Sequence, residues 1–203
     1  MPPSIRHQQG LIKILEACED RLASSRHLLL DQVLLKDYPE KYYIVSTYAT
    51  ASGPCYGNPR NDPAMLQPDI GPITTRAAHV SKLFANRDFK DRATGWIVLR
   101  EKFFYGNPSQ SFAVMTEVFP EDGLYKANFV SPAGSYLVLH LKGDYFHNAA
   151  RASRMMAQFL ERNRMVAVGD VFVKPRIDYW STSDPSQYVN TLLLQVAPRA
   201  SVD

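Results

Sequence analysis

The chain has 203 residues, 45% of them hydrophobic and 11% aromatic, enough to bury the core of one globular domain with an appendage. Its formal net charge of +3 is too small to argue for nucleic acid by itself. Cys18 and Cys55 fit no metal or redox spacing and read as free thiols in a reducing compartment. No apolar run approaches the ~18 residues of a membrane span, and the start, MPPSIRHQQG, has no signal-peptide core, so a soluble cytoplasmic chain is expected.

From Gly10 to about Gln32 the pattern is helical. Leu11, Leu15, Cys18, Leu22, Ser25 and Leu29 alternate spacings of four and three, the seam of a coiled coil, with Lys13, Glu16, Glu19, Asp20 and Arg26 on the other face. Pro39 follows, so the helix has ended by then. Residues 1–32 are read as a dimerisation helix, or else as an amphipathic helix packed on its own domain, and residues 33–203 as the domain itself. Three heptads are marginal alone, which favours pairing with a second chain.

The remainder reads as one unit written twice. A proline introduces PEKYYIVSTY in the first copy and PAGSYLVLHL in the second, each a strand signal. Helical patterns follow, ITTRAAHVSKLFANRDF and HNAARASRMMAQFLERNRM. Their apolar stripes, Ile73, Ala77, Val80 and Phe84, and Ala152, Met156 and Phe159 with Met155, suit a core. Then come GWIVLREKFFY from Gly95 and GDVFVKPRIDYW from Gly169, read as strands. The turns Asn107-Pro108-Ser109-Gln110 and Asp184-Pro185-Ser186-Gln187 lead into SFAVMTEVF and YVNTLLLQV. Strand, helix, strand, strand therefore occurs twice. An α+β fold is expected, an antiparallel sheet of two βαββ units with helices on one face and a ligand cleft at the seam. A long Gly- and Pro-rich loop from Ala51 to Gly71 interrupts the first unit.

Strand parity divides the last strand of each unit. Ala113, Met115, Glu117 and Phe119 share one face of the first, and aligning the turns adds Tyr188, Asn190, Leu192 and Leu194 from the second. This more mixed set is expected on the side away from the helices. Pro175 suggests an edge strand or a bulge.

The chain has no Gly-rich phosphate loop, no G-x-S-x-G and no H-E-x-x-H. His7, His27, His79, His140 and His147 are scattered, with no neighbour at metal-ligand spacing. His79 and His147, near helix starts, read as surface or capping residues. Neither a cofactor, a metal nor a catalytic residue is expected.

The stretch from SPAGSYLVLHLKGDYFHNAARASRMMAQFLERNRMVAVGDVF to Val196 resembles the GyrI-like effector-binding domain of MerR-type multidrug-sensing transcription regulators, and the likeness covers nearly the whole chain. VLLKDYPEKYYIV after a coiled-coil helix is similar to the junction between dimerisation helix and ligand domain in that family. The resemblance implies a cleft lined by aromatic residues that binds lipophilic, often cationic, compounds, with Tyr145 and Tyr188 at matching aromatic positions. Phe103 and Met115 join these as candidate ligand contacts. It also implies a buried acid on the strand after Gly-Asp-Val, where this chain has Val173, beside Lys174 and Arg176. Asp178, Glu117 or Glu101 could take that role. The family's winged-helix DNA-binding segment is absent here, so DNA contact is expected only through such a segment. The implied function is sensing of a small lipophilic molecule by a homodimer. The alternatives are a stand-alone protein-binding inhibitor, or a hydrolase using a cleft glutamate as general acid/base.

Overall fold

A computed structural model describes residues 28–47, 49–50, 53–54, 77–81, 94–109, 111–119, 127–178 and 181–199. The proposed coiled-coil residues up to position 27, and almost all of the 51–71 loop, lie outside them. Leu28–Gln32 is not helical: Leu30 forms an isolated bridge with His140, and Asp31 turns with φ of 55°. The expected helix therefore does not reach Gln32.

Eight strands form one sheet in the order β1-β8-β10-β9-β5-β6-β2-β7, and every pairing is antiparallel. They are β1 (Val33–Tyr38), β2 (Lys41–Thr47), β5 (Thr94–Val98), β6 (Ala113–Val118), β7 (Phe129–Ser131), β8 (Gly134–Lys142), β9 (Met165–Ile177) and β10 (Val189–Pro198). A two-stranded ribbon, β3 (Ala49–Thr50) with β4 (Gly53–Pro54), stands apart. The order explains the duplication. The first unit contributes β2-β6-β5 and the second β8-β10-β9, and the two meet where β5 pairs with β9, Trp96 opposite Val173. Each unit is then the other's neighbour across one antiparallel joint, with β1 and β7 added at the outer edges.

Helix α2 (Tyr145–Arg162) covers one face. Asp144 caps it, its carboxylate accepting a hydrogen bond from the His147 amide at 3.0 Å. Ala149, Ala152 and Met156 form the buried stripe, on Leu137, Leu139 and Leu141 of β8 and Leu192, Leu194 and Val196 of β10. This contradicts the expected position of Leu192 and Leu194 away from the helices. The motif alignment carries Met115 onto Leu192, yet Met115 lies on the opposite face. The copies are out of phase by one residue between turn and strand, and in a structure of period two a single residue exchanges the faces.

A second correction concerns GWIVLREKFFY. Strand β5 ends at Val98, and α1 (Arg100–Tyr105) follows. Arg100, Glu101 and Lys102 break the alternation, the Arg100 amide donates to Asp170 Oδ1 at 2.9 Å, and one helical turn brings Phe103 under α2, where Ser153 Oγ donates to its carbonyl. In the second copy β9 starts at Met165, so Gly169 lies inside the strand. Pro175 marks a register shift against β10, the expected bulge, but not an edge: β9 is central, and β5 pairs only with Val171–Val173, leaving position 175 clear on that side.

Candidate functional site

The sheet face away from α2 carries a second apolar layer. Tyr43, Ile97, Met115, Tyr136, Val138, Phe172 and Leu193 are all buried there. Tyr43 stacks on Phe172, ring centres 5.4 Å apart and 24° between planes. Phe129, opposite Tyr43 on β7 and more than a third exposed, leans on Phe172 at 5.9 Å. Three strands thus build one aromatic ladder across the joint between the repeats.

Beside the ladder sits an ion cluster. Register places Glu117 of β6 opposite Tyr43 of β2, and Lys41 lies two residues earlier on the same face of β2. Lys41 Nζ donates to Glu117 Oε1 at 2.7 Å, and Lys174 Nζ of β9 donates to Oε2. Both carboxylate oxygens are occupied. Lys174 Nζ also stands 5.1 Å from the centre of the Tyr43 ring. About a fifth of each of these three side chains is exposed, so the cluster forms a rim to the apolar layer.

Burial alone would raise the Glu117 carboxyl. The Lys174 charge and the hydrogen bonds from Lys174 and Lys41 outweigh it and hold the group below the usual carboxylate range. Burial pushes the Lys174 ammonium down to about 8; Glu117 opposes this, and Lys41 and Arg176 add to it. Burial, then the Glu117 charge, pushes the Tyr43 hydroxyl upward, so it stays protonated.

The sequence-predicted site residues do not form one cluster. Met115 and Glu117 lie together on this face. Val173, Phe103 and Tyr145 lie in the core on the helix side, and the Tyr145 hydroxyl donates to the Pro108 carbonyl at 2.6 Å. Glu101 is exposed on α1, paired with Arg100. Tyr188, half-buried, follows the 3-10 turn Pro185–Gln187, and Asp178 follows β9, its carbonyl accepting from the Ser181 and Thr182 amides. Sequence reasoning missed Lys41, Tyr43, Phe129 and Phe172. Only the alternation of Lys41, Tyr43 and Val45 hinted at them.

Two histidines are structural. His79, expected at the surface or as a cap, is buried and bridges Ser46 Oγ at 2.8 Å and Thr116 Oγ1 at 3.0 Å. His140 is buried on β8, its Nδ1 2.9 Å from Thr191 Oγ1. Among the described residues no group of three or more His, Cys, Asp or Glu could hold a metal ion, and no helix is long and apolar enough to cross a membrane.

Fold and face together define the class, an α+β domain of two βαββ repeats with helices on one side and an aromatic, charged lane on the other. This is the GyrI-like fold that the sequence resemblance implies, and solved structures share it. An uncharacterized conserved protein from Listeria innocua matches with a TM-score of 0.53 at 11% identity over 88% of this chain and 98% of that one. A hydrolase from Listeria innocua matches at 0.52 and 10% identity with the same coverage. The protein EcmrR, solved in complex with DNA, matches at 0.49 and 16% identity over 95% of this chain and 70% of its own. No protein-family model and no curated protein matches the chain.

Proposed function

We propose that this chain is a small-molecule effector-binding domain of the MerR-regulator type, taking a lipophilic ligand on the sheet face opposite α2. The observation that carries this reading is the ladder of Tyr43, Phe172 and Phe129. It spans both repeats, sits beside a partly open ion cluster, and has one exposed member, Phe129. Aromatic rings supply apolar contact at low entropic cost, and charged groups at the rim orient a ligand.

The same geometry disfavours Glu117 as a general acid/base. A catalytic carboxyl is tuned toward the working pH, whereas both oxygens of Glu117 are engaged by ammonium groups that push its titration the other way. Binding without chemistry is the function this arrangement supports best. The test is a fluorescence titration of the chain with a panel of lipophilic dyes, repeated on Phe172→Ala and Tyr43→Ala. A central aromatic anchor is worth roughly 1–3 kcal/mol of affinity. Unchanged affinity in both variants places the site elsewhere.

A further inference from the structure

We infer that the ligand of this face is a lipophilic anion, an aromatic ring system carrying a carboxylate or sulfonate, and that Lys174 and Lys41 are its charge contacts. The inference rests on the ligand-binding reading above and names the chemical class that the site takes. The acid that would attract a cation is already satisfied: Lys41 holds one oxygen of Glu117 and Lys174 the other. A cationic ligand would have to displace an ammonium group from a shorter, charge-assisted contact and leave it half-buried without a partner. An anion meets the opposite situation. Among the described residues the ionised groups that act on Lys174 are Glu117, Lys41 and Arg176, so the cluster including Lys174 carries three positive charges and one negative. An ammonium donates three hydrogen bonds, and Lys174 gives Glu117 one. An incoming carboxylate or sulfonate can share the remaining donors without breaking the cluster. The row of rings beside the charges is Tyr43, over which Lys174 stands, Phe172 stacked on it, and Phe129; the first two are covered, so the aromatic body of a ligand would meet the partly exposed Phe129 at the end of the row.

The test uses three probes on the full chain: anilinonaphthalene sulfonate, phenylnaphthylamine as its neutral analogue, and tetraphenylphosphonium as a lipophilic cation. The sulfonate is expected to bind about tenfold more tightly than the neutral analogue, the size of one charge-assisted hydrogen bond. That advantage should shrink to roughly twofold in Lys174→Met and fall in Lys41→Met, and the second variant keeps the test alive if the first does not fold. In the wild type the advantage should decline above pH 8, where Lys174 gives up its proton, while the neutral analogue is unaffected.

Equal affinity for sulfonate and neutral analogue overturns the inference. So does a preference for tetraphenylphosphonium that Glu117→Gln removes. If instead no probe responds to Phe172→Ala or Tyr43→Ala, it is the ligand-binding reading of this face that fails.

Discussion

Lys174 and Glu117 belong to different repeats, on strands that are not neighbours, and they join across β5. The β5 residue opposite Met115 on this face is Gly95. A Cβ there would stand 3.0 Å from the Met115 methyl carbon and 2.3 Å from the Val173 carbonyl oxygen. The absent side chain lets β5 and β9 close at the joint and keeps the lane between β9 and β6 low enough for a lysine to cross.

Gly95→Ala should therefore damage the joint between the repeats. The obstacle is backbone, which cannot swing away, so a loss of at least ~1–3 kcal/mol is expected in urea unfolding. An unchanged midpoint would mean that the β5–β9 register differs from the one described.

The two members of the ion cluster should differ in what their loss costs. Glu117→Gln leaves the Lys174 ammonium buried beside Lys41 and Arg176 without its counter-charge, and about 1–3 kcal/mol should be lost at pH 7. Lys174→Met removes the buried charge and leaves Glu117 paired with Lys41, and it should cost less. Denaturant midpoints of both variants decide this, and the reverse order would contradict the pairing.

His140 sets an acid limit. Burial, then the charges of Arg176 and Lys36, holds its pKa at about 4 in the folded chain, against 6.5 for an unperturbed imidazole. Between these values the unfolded chain binds the extra proton, so stability rises with pH and is lost progressively as pH falls from 6.5 toward 4. A drop of up to a few kcal/mol is expected, part of it absent from His140→Gln. Thermal unfolding of both proteins from pH 7 to pH 4 gives the comparison.

Tyr145 separates two placements of the ligand. Its hydroxyl ties the start of α2 to Pro108 inside the helix-side core. Tyr145→Phe should cost about 1 kcal/mol of stability and leave dye affinity unchanged. A weakened affinity would move the site toward Tyr145, one of the aromatic positions that the resemblance in sequence implies.

Pairing through the heptad positions from Leu11 to Ser25 remains a proposal from the sequence pattern, since Leu29 lies outside any helix. The intact chain should sediment as a dimer and a chain starting at Val33 as a monomer. Equal masses, each that of one chain, would refute it.

Much of this fold was legible in the sequence because its signals are local. The stripe of Ala152, Met156 and Phe159 identifies α2 in any context, and alternation marks β6, β8 and β10. The duplicated order of elements follows from reading those signals twice. Which face each strand presents was not legible in the second copy, because a one-residue difference behind the DPSQ turn reverses it, and no pattern inside the strand records that phase. The end of β5 was not read either: the aromatic residues on both sides of Arg100, Glu101 and Lys102 made the whole run look like one strand.

The site was decided by the tertiary structure. Glu117 could be suspected from parity, but its meaning could not, since a lone carboxylate in a strand suggests a partner for a cation. Folding brings Lys41 from β2 and Lys174 from β9 to its two oxygens, separated from it by 76 and 57 residues of chain. Composition and periodicity act over a turn or a strand and fix what each segment becomes. The charge of a site is a sum over side chains that only the sheet order makes neighbours, and here that sum changes sign when the strands assemble.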